Sequence, residues 1–86
     1  MPQISQFFGI VIYMYYSDHA PPHFHAEYGG NEAVYTIDTL ELIRGSLPRR
    51  AHGLVVEWAS LHRADLRANW IRARAGERLA VIMPLD

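Results

Sequence analysis

At 86 residues, 50% of them hydrophobic and 20% charged, the chain has material for one packed core and not for two, so a single domain over residues 1–86 is expected. It contains no cysteine, which excludes disulfides, thiolate metal sites and cysteine nucleophiles and makes a reducing compartment harmless. The net charge of −1 is unevenly divided: residues 1–43 hold five acids and no Lys or Arg, while residues 44–86 hold eight arginines against four acids, so two electrically different halves are expected.

The longest apolar run, Phe7 to Tyr16 broken by Gly9, is about half the ~20 residues a membrane helix requires. A cytoplasmic protein that neither crosses a membrane nor is exported is therefore expected. All cations are arginine and none is lysine. That choice suits bidentate contacts to carboxylate or phosphate, and it follows equally from a GC-rich genome.

In chain order, Phe8 to Tyr16 is rich in Ile, Val and Tyr at both parities, which predicts a first, central strand covered on both faces. Ser17 to Pro22 predicts a stiff loop, because Pro21 and Pro22 remove two backbone donors and push Ala20 towards extended geometry. His23 to Tyr28 alternates again: His23, His25 and Glu27 share one side, Phe24, Ala26 and Tyr28 the other, with Phe24 and Tyr28 facing the core. Gly29, Gly30 and Asn31 predict a tight turn into a third strand, Glu32 to Asp38, and so an antiparallel hairpin. Leu40 to Arg44 predicts a short fourth strand ended by Gly45.

Ser46 is the expected N-cap of a first helix, with Pro48 tolerated in its opening turn. Leu54, Val55, Trp58 and Leu61 form an apolar stripe whose continuation would fall on Asp65 and Arg72, while Leu66, Trp70 and Ala73 form a second stripe of shifted phase. Two helices, about 47–61 and 63–75 and broken near His62, follow, with Gly76 as the C-terminal cap. Leu79 to Met83 predicts a last strand. The expected fold class is α+β: a small, mainly antiparallel sheet with elements in the order β-β-β-β-α-α-β and two helices packed on one face.

The chemically distinctive feature is His19, His23 and His25, with two prolines among them. A strand places His23 and His25 on one side with Glu27 next in the row, and His19 can fold back over them from the loop. His19, His23, His25 and Glu27 would suit a divalent transition metal such as Zn, Ni, Fe or Mn. The same imidazoles would serve acid–base cleavage of a phosphodiester, with Tyr28, Arg49 or Arg50 stabilising the charged intermediate. A third reading gives them only the task of fixing the loop, their ring nitrogens bonded to backbone or water. His52 and His62 read as ordinary residues of amphipathic helices, and Trp58 and Trp70 as core. Arg63, Arg67 and Arg74 share a helical face that could follow a phosphate backbone, or simply face solvent beside local acids.

The strings M-P-x-I-S-x-F-F-G-I-V-I, D-H-x-P-P-H-F-H-A-x-Y-G, I-x-x-L-E-L-I-x-G-S-L-P-R-R and V-x-E-W-A-x-L-H-R-x-D-L-x-x-N-W run through nearly the whole chain. In them the chain resembles a family of small bacterial proteins catalogued as domain of unknown function 4160. The family's motif falls on Asp18, His19, Pro21, Pro22, His23, Phe24, His25, Tyr28 and Gly29, and its helical signature on Pro48, Arg49, Arg50, Glu57, Trp58 and Trp70. The resemblance assigns no chemical role to any of them. Genes of that family often neighbour a second small gene, and the pairs have been suspected of being toxin–antitoxin modules. The leading expectation is accordingly the toxin-like, RNA-cleaving half of such a module. The alternatives are a catalytically silent partner-binding or regulatory subunit, and a metal-binding protein. Expected partners are the neighbouring gene's product, RNA, or a second copy of the chain.

Overall fold

A computed structural model describes residues 2–86. Five strands, β1 (Gln3–Phe7), β2 (Ile10–Tyr13), β3 (His23–Tyr28), β4 (Asn31–Thr36) and β5 (Leu42–Gly45), precede two helices, α1 (Arg49–Leu61) and α2 (Arg63–Arg74). The strands form one sheet in sequence order, every neighbouring pair antiparallel. The architecture is α+β, a meander followed by two helices.

Tight turns make this topology. At Phe8 and Gly9 both residues have positive φ, 49° and 79°, the two-residue geometry whose twist matches that of paired strands. The expected single strand over 8–16 is instead the turn and second strand of a hairpin: β1 comes earlier, and only Ile10 to Tyr13 of the expected stretch is strand. Gly29 and Gly30 repeat the device between β3 and β4, with φ of 56° and 84°. Gly45 closes β5 at φ 69°, where an added Cβ would land on the Glu32 carbonyl, so β5 is pinned against the start of β4.

Residues two apart on a strand share a face. Ile10, Ile12, Phe24, Ala26, Ala33 and Tyr35 line one face and are buried beneath Ala51, Val55, Trp58 and Leu66 of the helices. The Trp58 ring lies 5.3 Å from that of Phe7 and 5.9 Å from that of Phe24. Phe24 is in the core as expected. Tyr28 is not: it shares Phe24's parity but stands at the strand's end, 36% exposed.

The helix break falls at His62, which caps both helices. Helix α1 starts one residue after Pro48 and has no side-chain cap, so Ser46 does not act as its N-cap. Gly76, at φ 73°, terminates α2: its N–H donates to the Ala73 carbonyl and that of Glu77 to the Arg72 carbonyl, the paired bonds of a left-handed helix cap.

Leu79 to Met83 forms no strand. One backbone bond joins it to the sheet, Ile82 N–H to the Ile4 carbonyl at 2.8 Å. Side chains do the rest. Ser5 Oγ donates to Ile82 O at 3.1 Å, Trp58 Nε1 donates to Met83 O at 2.8 Å, and the buried Asn69 both donates to Ala80 O and accepts from Ala80 N–H. Among the described residues no helix is long and apolar enough to cross a membrane.

Candidate functional site

The face of the sheet opposite the helices carries His23 and His25 of β3, Val34 of β4 and Arg44 of β5, because His25 registers with Val34 and Val34 with Arg44. A face without helices would ordinarily be wet. Here the loop from Tyr15 to Pro22 folds over it, and His23 and His25 are only 9% and 8% exposed. The expected opposition of the histidines to Phe24 holds, but they lie under a loop.

The loop delivers Asp18. Its Oδ2 lies 3.0 Å from His23 Nε2 and 3.1 Å from His25 Nε2. His23 Nδ1 is 2.7 Å from the Pro21 carbonyl, which can only accept, so that nitrogen carries a proton. His25 Nδ1 is buried without a hydrogen-bond partner. The Glu32 carboxylate is 3.5 Å away, near enough for charge attraction but not aligned to accept.

The surroundings hold these groups in place. Tyr15 meets His25 edge-on at 4.3 Å between ring centroids, and Trp70 of α2 stands 5.2 Å from the His23 ring. Arg74 Nη1 donates to the Asp18 carbonyl at 3.2 Å, tying the loop to α2. The Tyr15 hydroxyl is pushed up from its ordinary pKa, first by burial and then by the charges of Glu32 and Asp18. Beside the cluster opens a cleft of about 270 Å³, floored by Val34 and walled by the 18–21 loop on one side and by Ile43 and Arg44 on the other.

Of the residues expected here, the structure brings His23 and His25 together. His19 lines the cleft but is exposed and stands outside the convergent group, which is Asp18, His23 and His25, with ligand atoms within 4.8 Å of one another. Glu27 is exposed further along β3, paired in register with Val11 and Glu32. Tyr28 and Arg50 line a different cleft with Phe8 and Pro48, and Arg49 is exposed at the start of α1. The carboxylate that completes the group is Asp18, which the strand period does not single out because it belongs to the loop. Arg44 and Tyr15 were likewise without a signal.

The α2 arginines do not form a free cationic face. Arg63 donates to the Ile37 carbonyl, Arg67 pairs with Asp38 at 2.8 Å, and Arg74 holds the Asp18 carbonyl, so all three join the helix to the sheet or its loop. His52 Nδ1 and the buried Tyr35 hydroxyl are hydrogen-bonded at 2.8 Å, a structural contact.

Neither the curated proteins nor the solved structures contain a match to this chain. A family model does match, over residues 9–71, a span that contains the whole Asp18, His23 and His25 cluster, and the chain belongs to the family described as Domain of unknown function (DUF4160).

Proposed function

We propose that this protein binds one divalent transition metal ion through Asp18, His23 and His25, with the remaining coordination positions open to the cleft. The observation that carries the reading is the convergence of both Nε2 atoms on one carboxylate oxygen, while His23 Nδ1 is committed to the Pro21 carbonyl.

In a neutral His23 ring, a proton on Nδ1 leaves a bare lone pair on Nε2. That lone pair then faces the lone pairs of Asp18 Oδ2 at 3.0 Å, a contact that repels unless positive charge lies between them. A proton on Nε2 supplies that charge in an imidazolium–carboxylate pair, and a metal ion held by both atoms supplies it equally. Metal–ligand bonds of roughly 2.1 Å at right angles set ligand atoms about 3 Å apart, close to the 3.0 and 3.1 Å found here. Two imidazoles and one carboxylate, with ligand atoms within 4.8 Å of one another, form a donor set for Fe, Zn, Ni or Mn.

The outer contacts suit this role. The bond from His23 Nδ1–H to the Pro21 carbonyl fixes the ring with Nε2 facing inward, and the Glu32 carboxylate lies 3.5 Å from His25 Nδ1 without a hydrogen bond to it. A metal with open positions would supply an activated water or polarise a bound oxygen. The ribonuclease reading is less well supported, because Tyr28 and Arg50 line another cleft and both imidazoles point at one atom instead of at two sites of proton transfer.

The test is the metal content of untagged protein purified without chelator. About one equivalent of transition metal is expected in the wild type and in a His62→Ala control, and none in Asp18→Ala or in the His23→Ala, His25→Ala double variant. Wild-type protein that is folded yet takes up none of Zn, Ni, Mn or Fe would overturn the reading. RNA cleavage that persists in chelator and in Asp18→Ala would return the histidines to metal-free acid–base chemistry.

A further inference from the structure

We infer that the open side of this site takes a small oxyanion, a carboxylate or phosphate group, that gives one oxygen to the metal and at least one other to Arg44. The inference rests on the metal reading above and adds the ligand class.

Arg44 reaches the site through the sheet. His25, Val34 and Arg44 form one cross-strand row on the loop-covered face, and strands lie ~4.8 Å apart, so the backbones of His25 and Arg44 are separated by roughly 10 Å. Between them only Val34 rises from the floor, buried and apolar. A cleft of about 270 Å³ accommodates a ligand of a few heavy atoms there, and nothing on the floor competes for its oxygens.

Charge selects the class of ligand. Asp18 is the only acid lining the cleft, and its carboxylate faces the two imidazoles. Among the described residues, Arg44 has no carboxylate within ion-pair distance. Once a divalent ion is bound, ion, Asp18 and Arg44 leave an excess of positive charge, and Glu32 behind His25 offsets only part of it. An anion restores the balance. The guanidinium presents paired donors in a fixed fork, which can take two free oxygens of a metal-bound phosphate or share the one free oxygen of a metal-bound carboxylate, a geometry an ammonium does not fix.

Arg44 is also held in position. Gly45 follows it at positive φ, packed on the Glu32 carbonyl, and the Ser46 N–H donates to that same carbonyl at 3.2 Å. The strand end bearing Arg44 is thereby fixed against the strand that supplies Val34. Little backbone freedom is lost when a ligand binds, so more of the contact energy appears as affinity.

The experiment uses full-length protein loaded with Co(II), whose visible spectrum reports its ligands. It is titrated separately with inorganic phosphate and with acetate, against sodium chloride at equal ionic strength. One or both oxyanions should shift the cobalt bands while chloride does not, and the responding anion assigns the class. Arg44→Gln should bind cobalt as the wild type does but require roughly tenfold or more of the anion, with Arg44→Lys between them. If cobalt fails to bind the wild type, the metal reading and this inference fall together. If cobalt binds but neither oxyanion alters its spectrum, or Arg44→Gln responds like the wild type, this inference falls alone and the metal site stands.

Discussion

On the helix-covered face of the sheet, Phe24, Tyr35 and Trp58 pack ring against ring with no polar side chain between them; on the loop-covered face, the next residues of the same strand, His23 and His25, meet a carboxylate. Phe24 on one face and His23 and His25 on the other are all buried, by different means. Two helices offer enough apolar surface to fill one side to native density. An eight-residue loop offers little apolar surface, and it excludes water from His23 and His25 while leaving a cleft beside them. The contrast shows why polar groups collect there: a thin cover buries imidazoles without filling the space in front of them.

If that division is right, damage to the two faces should differ in kind. Trp58→Ala should cost about 3–5 kcal/mol in urea unfolding, since it opens a cavity between Phe7 and Phe24 and frees the Met83 carbonyl. His25→Ala in metal-free protein should cost only about 1–2 kcal/mol, because it removes one polar contact, Nε2 to Asp18, and Nδ1 has no partner to lose. Equal losses would make the histidine layer part of the core and break the comparison.

The loop face should respond to metal where the helix face does not. At a hundredfold excess over its dissociation constant, a bound ion adds about 2.7 kcal/mol to stability, which for a domain of this size raises the melting temperature by roughly 10–20 °C. Asp18→Asn should abolish the increase with little change in the metal-free melting temperature. An increase that survives in Asp18→Asn would place the ion elsewhere.

The helix face should respond to alkali. Burial pushes the Tyr35 hydroxyl up to about 12 from the ordinary 10.0. With the folded pKa above the unfolded one, the stabilisation is complete below about pH 10 and declines as the pH rises to about 12, at roughly 1.4 kcal/mol per pH unit. Tyr35→Phe should flatten that decline in urea titrations across the window. It should also lower stability at pH 7 by about 1 kcal/mol, since His52 Nδ1 loses its hydrogen-bond partner. An unchanged alkaline slope would assign the loss to another group.

The smallest expected effect lies where the helix layer meets the sheet at the surface. Arg67 and Asp38 are paired at 2.8 Å but each is more than half exposed, so Arg67→Ala should cost well under ~1 kcal/mol and less still in high salt. A larger loss would show that the stitching of α2 by arginines, rather than Trp58 and Leu66, holds the layers together.

Much of the fold was legible because it is local. The phase slip between the Trp58 and Trp70 stripes placed the break at His62, and the alternation through β3 separated Phe24 from His23 and His25. Reading residues 8–16 as one strand failed because Phe8 takes positive φ beside Gly9, a conformation rare outside glycine that residue type does not announce. The expected last strand failed for a different reason: Asn69 and Trp58 bind its carbonyls from the helices, so a ladder with β1 is replaced by side-chain contacts.

The site divides along the same line. The period of two along β3 is a property of the chain itself, and it was sufficient to put His23 and His25 side by side. Which carboxylate they meet depends on how the 15–22 loop returns across the sheet, and that path is set by Arg74 on the Asp18 carbonyl and by Trp70 against His23. Arg44 enters through strand register, two pairings away from His25. Asp18 thus replaces Glu27 beside the histidines, and Arg44, not Arg49 or Arg50, borders the cleft, because through-space neighbours are chosen by packing between distant segments and not by spacing along the chain.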